Sequence, residues 1–213
     1  MTTGLFPDQL RTYVDGLVPP RPPELVRMEA HALEHAFPII GPASGHCCYL
    51  LTRLVGARRV FELGSGYGYS TSWFARGVRD NGGGEVHHVV WDADLSARAR
   101  THLAALGYDD IVSYHVGEAV EILRGTKGPF DLIFLDIDKA GYPAAIPVIA
   151  DRLRTGGILI ADNMLWSGRV FDPSDRSPET LAIREATRLL TTSVEWLSTI
   201  VPIRDGLMVA MRV

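Results

Sequence analysis

Two short segments carry side chains that could hold a metal ion together. Asp136, Asp138 and Lys139 follow one apolar run, and Asp162 and Asn163 follow the next. Both runs are typical of buried parallel strands, whose carboxyl ends meet at one edge of a sheet. The acidic and amide side chains are therefore expected to converge there. Oxygen donors without Cys or His favour Mg²⁺, with Ca²⁺ or Mn²⁺ as alternatives, over zinc.

Lys139 leaves this cluster open to two interpretations. Carboxylates this close together repel one another by kilocalories per mole unless cations neutralise them. In the first interpretation, which the residues favour, a divalent ion neutralises most of the charge and Lys139 the rest. In the second, Lys139 forms an ion pair with one aspartate and no metal binds.

A glycine-rich turn after the first predicted strand indicates a nucleoside ligand. It begins at Glu62 and reads ELGSGYG, and its glycines let the backbone approach a ligand at a helix N terminus. A dinucleotide fingerprint reads G-x-G-x-x-G, but Tyr69 stands at the third glycine. Glu62 would repel a pyrophosphate and attract a cation, which favours S-adenosylmethionine. We expect Gly64, Ser65 and Gly66 to contact it, and a turn without ligand is the alternative.

The ends of the next two strands could bind the nucleoside itself. Trp91 could stack on the adenine, and Asp92 could accept hydrogen bonds from the ribose, about 20 to 30 residues after the glycines. Alternatively, Asp92 or Asp94 caps the helix that starts near Leu95, and for Asp94 the cap is favoured. Ala119, after the third strand, is a further candidate contact to the adenine.

Alternating strands and helices must position these residues. From residue 59 onward the pattern predicts an α/β fold with a doubly wound, mostly parallel sheet and helices on both faces. Seven strands are expected, at residues 60–63, 86–91, 111–116, 130–135, 158–161, 194–200 and 206–213. The last two are joined by a short turn and therefore pair antiparallel.

The N-terminal part of the chain predicts helices only. Apolar residues recur at helical spacing over residues 10–17 and 24–37, and a proline-rich segment separates the two. A third helix ends near residue 56. We expect one domain over residues 1–213, in which residues 1–57 form a helical lid or dimer segment and residues 58–213 form a Rossmann-like core.

Composition excludes several classes of protein. The chain has 213 residues, 46% of them hydrophobic, and a formal net charge of −4, so it lacks the positive field that binds nucleic acid by charge. No run approaches the roughly 18 apolar residues of a membrane span, and residues 1–15 do not resemble a signal peptide. Adjacent Cys47 and Cys48 cannot form a disulfide framework, which favours a reducing, cytoplasmic location.

These segments together resemble the cation-dependent O-methyltransferases of the caffeoyl-CoA and catechol type, including their small bacterial members. The matching motifs are FELGSGYGYS from Phe61, FLDIDK from Phe134, the Gly156-Gly157 pair, DNMLWSG from Asp162 and PIRDGL from Pro202. The likeness covers residues 38–213. It implies the class I methyltransferase fold, S-adenosylmethionine as cofactor, a divalent cation and a homodimer.

The resemblance also implies roles for the metal cluster. It makes Asp136, Asp162 and Asn163 the metal ligands and Lys139 the general base. Asp136 takes part in catalysis and also contacts the cofactor. Asp138 contacts the methionine moiety of the cofactor.

Further cofactor contacts follow from the same resemblance. Glu62, Gly64 and Ser70 are placed along the cofactor, with Ile40 near its methionine end and Ala119 near its adenine.

Two positions depart from the family pattern. Val90 stands at the usual ribose-binding position, so either Asp92, two residues further on, or water holds the ribose. Ser167 stands where plant members have an asparagine that touches substrate, so a CoA ester is not implied. Trp166 and Ser167 are expected to contact the substrate.

The function implied is methyl transfer from S-adenosylmethionine to a hydroxyl of a small catechol-type phenol, assisted by a divalent metal. One alternative is a hydroxylated tRNA base as acceptor. The acidic balance argues against it, although these arginines could form a local basic face: Arg11, Arg21, Arg27, Arg53, Arg58 and Arg59. Two further alternatives for the function are an NAD(P)-dependent oxidoreductase and a non-catalytic domain. Nucleic acid and membrane partners are not expected.

Overall fold

Three helices precede the sheet in the computed structural model, which describes residues 8–213. They are α1 (Asp8–Gly16), α2 (Pro23–Glu34) and α3 (Gly41–Leu54). Helix α2 begins with a proline, whose fixed φ suits the first helical turn. The first seven residues of the predicted N-terminal segment lie outside the described residues.

Strands and helices alternate through the rest of the chain. In order they are β1 (Arg59–Leu63), α4 (Tyr69–Asp80), β2 (Glu85–Val90), α5 (Ala93–Ala105), β3 (Val112–Val116), α6 (Ala119–Gly125), β4 (Phe130–Leu135), α7 (Tyr142–Arg152), β5 (Leu153–Ala161), α8 (Pro178–Thr192), β6 (Trp196–Val201) and β7 (Leu207–Arg212).

The seven strands form one sheet in the order β3-β2-β1-β4-β5-β7-β6. Strands β1 to β5 pair in parallel, and β7 runs antiparallel to both β5 and β6. This confirms the predicted doubly wound sheet with its antiparallel C-terminal strand. Because β1 connects outward to β2 while β4 connects outward to β5, the carboxyl ends of β1 and β4 form the crevice in which such folds bind ligands.

Helices cover both faces of the sheet, as the alternation predicted. Leu132 and Phe134 of β4 pack on the side of α4 and α5, whereas Ile133 and Leu135 pack on the side of α6, α7 and α8. Successive side chains of a strand point to opposite faces, and here both faces are buried. The near-continuous apolar sequence of β4 follows from this double burial.

Strand β5 differs from its prediction. It begins at Leu153, directly after α7, and runs through the glycine pair that had been expected to form a turn. The register against β4 shifts between Phe130 and Leu132. A Cβ on Gly157 would lie 3.0 Å from the carbonyl oxygen of Asp131, so the glycines permit an irregular pairing. No helix within residues 8–213 is long and apolar enough to cross a membrane.

Candidate active site

A cleft of about 540 Å³ opens at the carboxyl ends of the central strands. It gathers most of the residues predicted for the site: Ile40, Gly64, Ser65, Gly66, Ser70, Trp91, Asp92, Ala119, Asp136, Asp138, Lys139, Asp162, Asn163 and Trp166. Glu62 and Ser167 do not line it.

Close backbone contact shapes the turn after β1. Gly64 has a φ of +88°, and a Cβ there would lie 2.1 Å from the carbonyl oxygen of Asp136, so only glycine fits. The N–H of Ser65 donates to the carbonyl of Val89 at 2.9 Å, and its hydroxyl accepts from the N–H of Val89 at 2.9 Å. The hydroxyl of Ser65 therefore joins the turn to β2.

The N terminus of α4 faces the same cleft. Gly68 precedes the helix with a φ of +91°, and no side chain caps the first N–H groups. Uncapped N–H groups at a helix N terminus attract an anion. Ser70, in this first turn, is almost buried and lines the cleft, so the turn suits a carboxylate.

Glu62 lies beneath the glycine turn and is fully buried. Its carboxylate accepts a hydrogen bond from the hydroxyl of Thr71, which lies 3.1 Å from Nδ1 of His88. Because the single hydroxyl proton goes to Glu62, Thr71 accepts from His88. Burial raises the pKa of Glu62 to about 7 despite the hydrogen bond from Thr71. Burial also lowers the pKa of His88 to about 3.

The raised pKa of Glu62 predicts pH-dependent stability. The folded chain keeps this proton up to about pH 7, whereas the unfolded chain releases it near pH 4.5. The free energy of unfolding therefore falls as pH rises between these values, by about 3 kcal/mol from this group. In urea unfolding at pH 5 and pH 7.5, Glu62→Gln is expected to lose less stability than the wild type. Exposed Glu121→Gln is the control, and equal losses for all three proteins would contradict the prediction.

The structure assigns the cap of α5 to Asp92. Its Oδ1 accepts the N–H groups of Asp94 at 2.7 Å and Leu95 at 3.0 Å. The favoured cap at Asp94 is therefore wrong, because the helix begins at Ala93 and Asp94 lies inside its first turn. Trp91 is 68% exposed and, like Asp92, lines the cleft. A ribose contact would be made by the same side chain that caps α5.

Lys139 joins the ends of two strands. Its Nζ lies 2.7 Å from Oδ1 of Asp136 and 2.9 Å from the hydroxyl of Tyr142. That hydroxyl also lies 3.1 Å from the carbonyl oxygens of Leu135 and Asp162, which end β4 and β5. The ion pair that the sequence offered as an alternative to a metal is therefore present.

Asp162 is buried beside a second cation. Its Oδ2 accepts a hydrogen bond from Nη1 of Arg204 at 2.8 Å, while its Oδ1 is buried without a hydrogen-bond partner among residues 8–213. Burial and the charge of Asp136 raise the pKa of Asp162 to about 6 against the effect of Arg204. A buried acceptor without a partner costs about 1–3 kcal/mol. This oxygen therefore fits a metal ligand.

The turn between β6 and β7 holds the segment after β5. Nδ2 of Asn163 donates to Oδ2 of Asp205 at 3.2 Å, which leaves the amide oxygen of Asn163 free to bind a ligand. The N–H of Ser167 donates to Oδ1 of Asp205 at 2.6 Å. Ser167 is exposed and outside the cleft lining, and its substrate contact stays a prediction.

A comparison with protein families shows to which family the chain belongs. The model of a family described as O-methyltransferase matches residues 21–213. The chain belongs to the O-methyltransferase family. A Mycobacterium tuberculosis protein described as a probable O-methyltransferase is 32% identical over 179 residues, which cover 81% of this chain and 77% of that protein.

Solved structures resemble this O-methyltransferase over nearly its whole length. The O-methyltransferase from Bacillus cereus, in complex with SAH, has a TM-score of 0.87 at 27% identity, with 96% and 97% of the two chains covered. TomG from Streptomyces achromogenes, in complex with S-adenosylmethionine, has a TM-score of 0.86 at 26% identity, with 96% of each chain covered. The chain is thus an O-methyltransferase by family, and these two structures of similar proteins were solved with S-adenosylmethionine or SAH bound.

Sequence reasoning assigned no role to three neighbours of the site in this O-methyltransferase. Tyr142 follows Lys139 by three residues, a helical spacing that could have indicated their contact. Thr71 and Arg204 gave no comparable signal, because their partners lie on other elements. Arg204 stood inside a recognised motif, but nothing in that motif indicates that its side chain reaches Asp162.

Proposed function

We propose that this O-methyltransferase methylates one hydroxyl of a small catechol-type phenol, assisted by a divalent cation. The observation that carries the proposal is the buried, unpartnered Oδ1 of Asp162 in the cofactor cleft. Asp136 and Asn163 line the cleft beside it. Such a set of oxygen donors suits a hard divalent ion.

Three side chains would hold the ion: Asp136, Asp162 and Asn163. Their oxygens favour Mg²⁺, with Mn²⁺ or Ca²⁺ as alternatives. When bound, the ion would supply Lewis-acid stabilisation of a phenolate oxygen.

Asp136, and Lys139 once its ammonium has lost a proton, are the groups best placed to accept the proton of the acceptor hydroxyl. They lie 2.7 Å apart and both line the cleft. The hydroxyl of Tyr142 and the carbonyl oxygen of Ile137 orient Nζ of Lys139 from its other sides. We assign general-base catalysis to this pair. Trp166 would form a wall of the acceptor site and keep water away from it.

The cofactor would extend along the cleft from α4 to Trp91. The uncapped N terminus of α4 suits its methionine carboxylate, and Asp138 and Ile40, which line the same cleft, would contact the methionine moiety. The exposed ring of Trp91 offers a face to the adenine, near Ala119. Asp92 or water would hold the ribose. Glu62 would support the cofactor turn from beneath, through its hydrogen bond with Thr71.

The arginines that an RNA acceptor would need are occupied by acidic partners. Five of the six form salt bridges with carboxylates of the same chain: Arg11 with Asp8, Arg21 with Glu29, Arg27 with Glu24, Arg53 with Asp80 and Arg59 with Glu85. When an arginine is already paired with a carboxylate, its binding to nucleic acid displaces few counterions from the phosphates. A small phenol is therefore the favoured acceptor.

Paired substrates provide the test. With Mg²⁺ and without RNA, we expect methylation of 3,4-dihydroxybenzoate, followed by mass spectrometry, and no product from 3-hydroxybenzoate, which lacks the second oxygen. EDTA should lower the rate by about a hundredfold or more, and Mg²⁺ should restore it. Equal turnover of the two phenols, or a rate that EDTA leaves unchanged, would contradict the proposal.

A homodimer in the cytoplasm is the associated proposal on assembly and location. Large apolar side chains of the N-terminal helices and of the segments that follow them are exposed, which supports a protein partner on this side: Leu10, Tyr13, Leu17, Leu33, Leu50 and Leu54. Both cysteines are free thiols, as a reducing compartment would keep them.

A further inference from the structure

Arg204 places a positive charge at one of the proposed metal ligands. Its Nη1 lies 2.8 Å from Oδ2 of Asp162, whose side chain is 1% exposed. The guanidinium lines the same cleft as Asp136 and Asn163. A charge held this way competes with any cation that needs the Asp162 carboxylate.

The charges of the two proposed acidic ligands are already matched. Asp136 pairs with Lys139 at 2.7 Å, and Asp162 pairs with Arg204 at 2.8 Å. One carboxylate oxygen, Oδ1 of Asp162, has no partner among the described residues. The site therefore offers an open ligand atom. The negative charge of the site, however, is largely neutralised by Lys139 and Arg204.

The backbone of Arg204 is strained to reach this position. Its φ is +52°, in the left-handed region that favours glycine. The next two residues, Asp205 and Gly206, hold the segment after β5 through the hydrogen bonds to Asn163, Met164 and Leu165. A side chain kept at a strained position, with its charge on a buried carboxylate, indicates a role at the site.

We propose that Arg204 is a tethered cation that competes with the divalent ion for Asp162, so that a metal binds tightly only after the guanidinium moves away. This inference rests on the metal site of the proposed function. It makes Arg204 the residue that sets the metal affinity of this enzyme. The guanidinium has room to move, because the Arg204 side chain is 32% exposed and lines the cleft.

Two substitutions separate charge from backbone strain. Arg204→Gly removes the charge and relieves the left-handed strain, whereas Arg204→Gln removes the charge and keeps the strain. Arg212→Gln is the matched control, because Arg212 pairs with Glu195 at the opposite end of β7. It changes the net charge of the protein by the same amount.

The measurement is Mn²⁺ binding to the cofactor-free protein, followed by electron paramagnetic resonance, together with thermal unfolding of each variant. We expect both Arg204 variants to bind Mn²⁺ about 10- to 100-fold more tightly than the wild type. Arg212→Gln should match the wild type. Equal Mn²⁺ affinities of Arg204→Gly and Arg204→Gln would show that the charge of Arg204, and not its backbone strain, controls the affinity.

Two outcomes would overturn the inference, and they are distinguishable. If the wild type and both Arg204 variants bind Mn²⁺ equally well, Arg204 does not compete, and the proposed metal site stands. If none of the folded proteins binds Mn²⁺, the metal part of the proposed function fails as well. Binding only by the Arg204 variants would support the inference in its strongest form.

Discussion

Asp162→Asn is expected to lower kcat/KM for 3,4-dihydroxybenzoate by about a thousandfold, a loss typical of a removed group that stabilises charge in the transition state. The amide has nearly the same shape as the carboxylate, so packing at the end of β5 is kept. It lacks the negative charge that a divalent ion requires. It also leaves Arg204 without the carboxylate to which it donates at 2.8 Å.

Two measurements check this prediction. Steady-state kinetics should show the loss in kcat/KM, and electron paramagnetic resonance should show weaker Mn²⁺ binding. Asp151→Asn is the control, because Asp151 is exposed near the end of α7 and outside the cleft lining. A variant that keeps more than about a tenth of the wild-type kcat/KM would remove Asp162 from the proposed site.

Gly64→Ala is expected to cause a large loss of stability. The new Cβ would lie 2.1 Å from the carbonyl oxygen of Asp136 and 2.7 Å from its carbon. These are backbone atoms at the end of a central strand, so no side-chain rotation relieves the clash. The positive φ adds a further penalty. We expect the free energy of unfolding to fall by more than about 3 kcal/mol, or folding to fail.

Gly82→Ala isolates the backbone penalty from the clash. Gly82 has a similar φ of +94°, but no atom lies within 4 Å of the position that a Cβ would take. Its cost should be about 1–2 kcal/mol. Urea unfolding compares the two variants, and similar losses would show that contact with Asp136 contributes little.

The two predictions concern neighbouring residues at the carboxyl ends of the central strands. Gly64 sets how closely β1 approaches the end of β4, and Asp136 at that end pairs with Lys139. At the end of the neighbouring strand β5, Asp162 pairs with Arg204. The cofactor turn and the proposed metal ligands therefore share one backbone framework, and a shift in the turn would move Asp136.

Much of this framework could be predicted from local sequence. The apolar runs before Asp136 and Asp162 indicate buried parallel strands, and such strands end at one edge of a sheet whatever their exact length. The comparison with known families confirms the type of enzyme that these strand ends indicated. The cleft accordingly contains nearly all the predicted side chains.

Other features depended on contacts between distant segments. Glu62 was expected to face a cationic cofactor, but hydrogen bonding with Thr71 holds it beneath the turn. The choice between Asp92 and Asp94 as helix cap depended on where α5 begins, which is Ala93 instead of Leu95, a difference of two residues. Local patterns do not determine element ends to that accuracy.

The amino-acid sequence by itself determined the order of strands and helices, the glycine turn and the residues at each strand end, because these follow from local periodicity and steric restriction. Only the tertiary structure decided that Arg204, 42 residues after Asp162, is its ion-pair partner. The contact exists because β7 inserts antiparallel beside β5 and brings the preceding turn to its carboxyl end. The residue type alone sets the charge of a side chain. The packing of the sheet decides which opposite charge lies beside it.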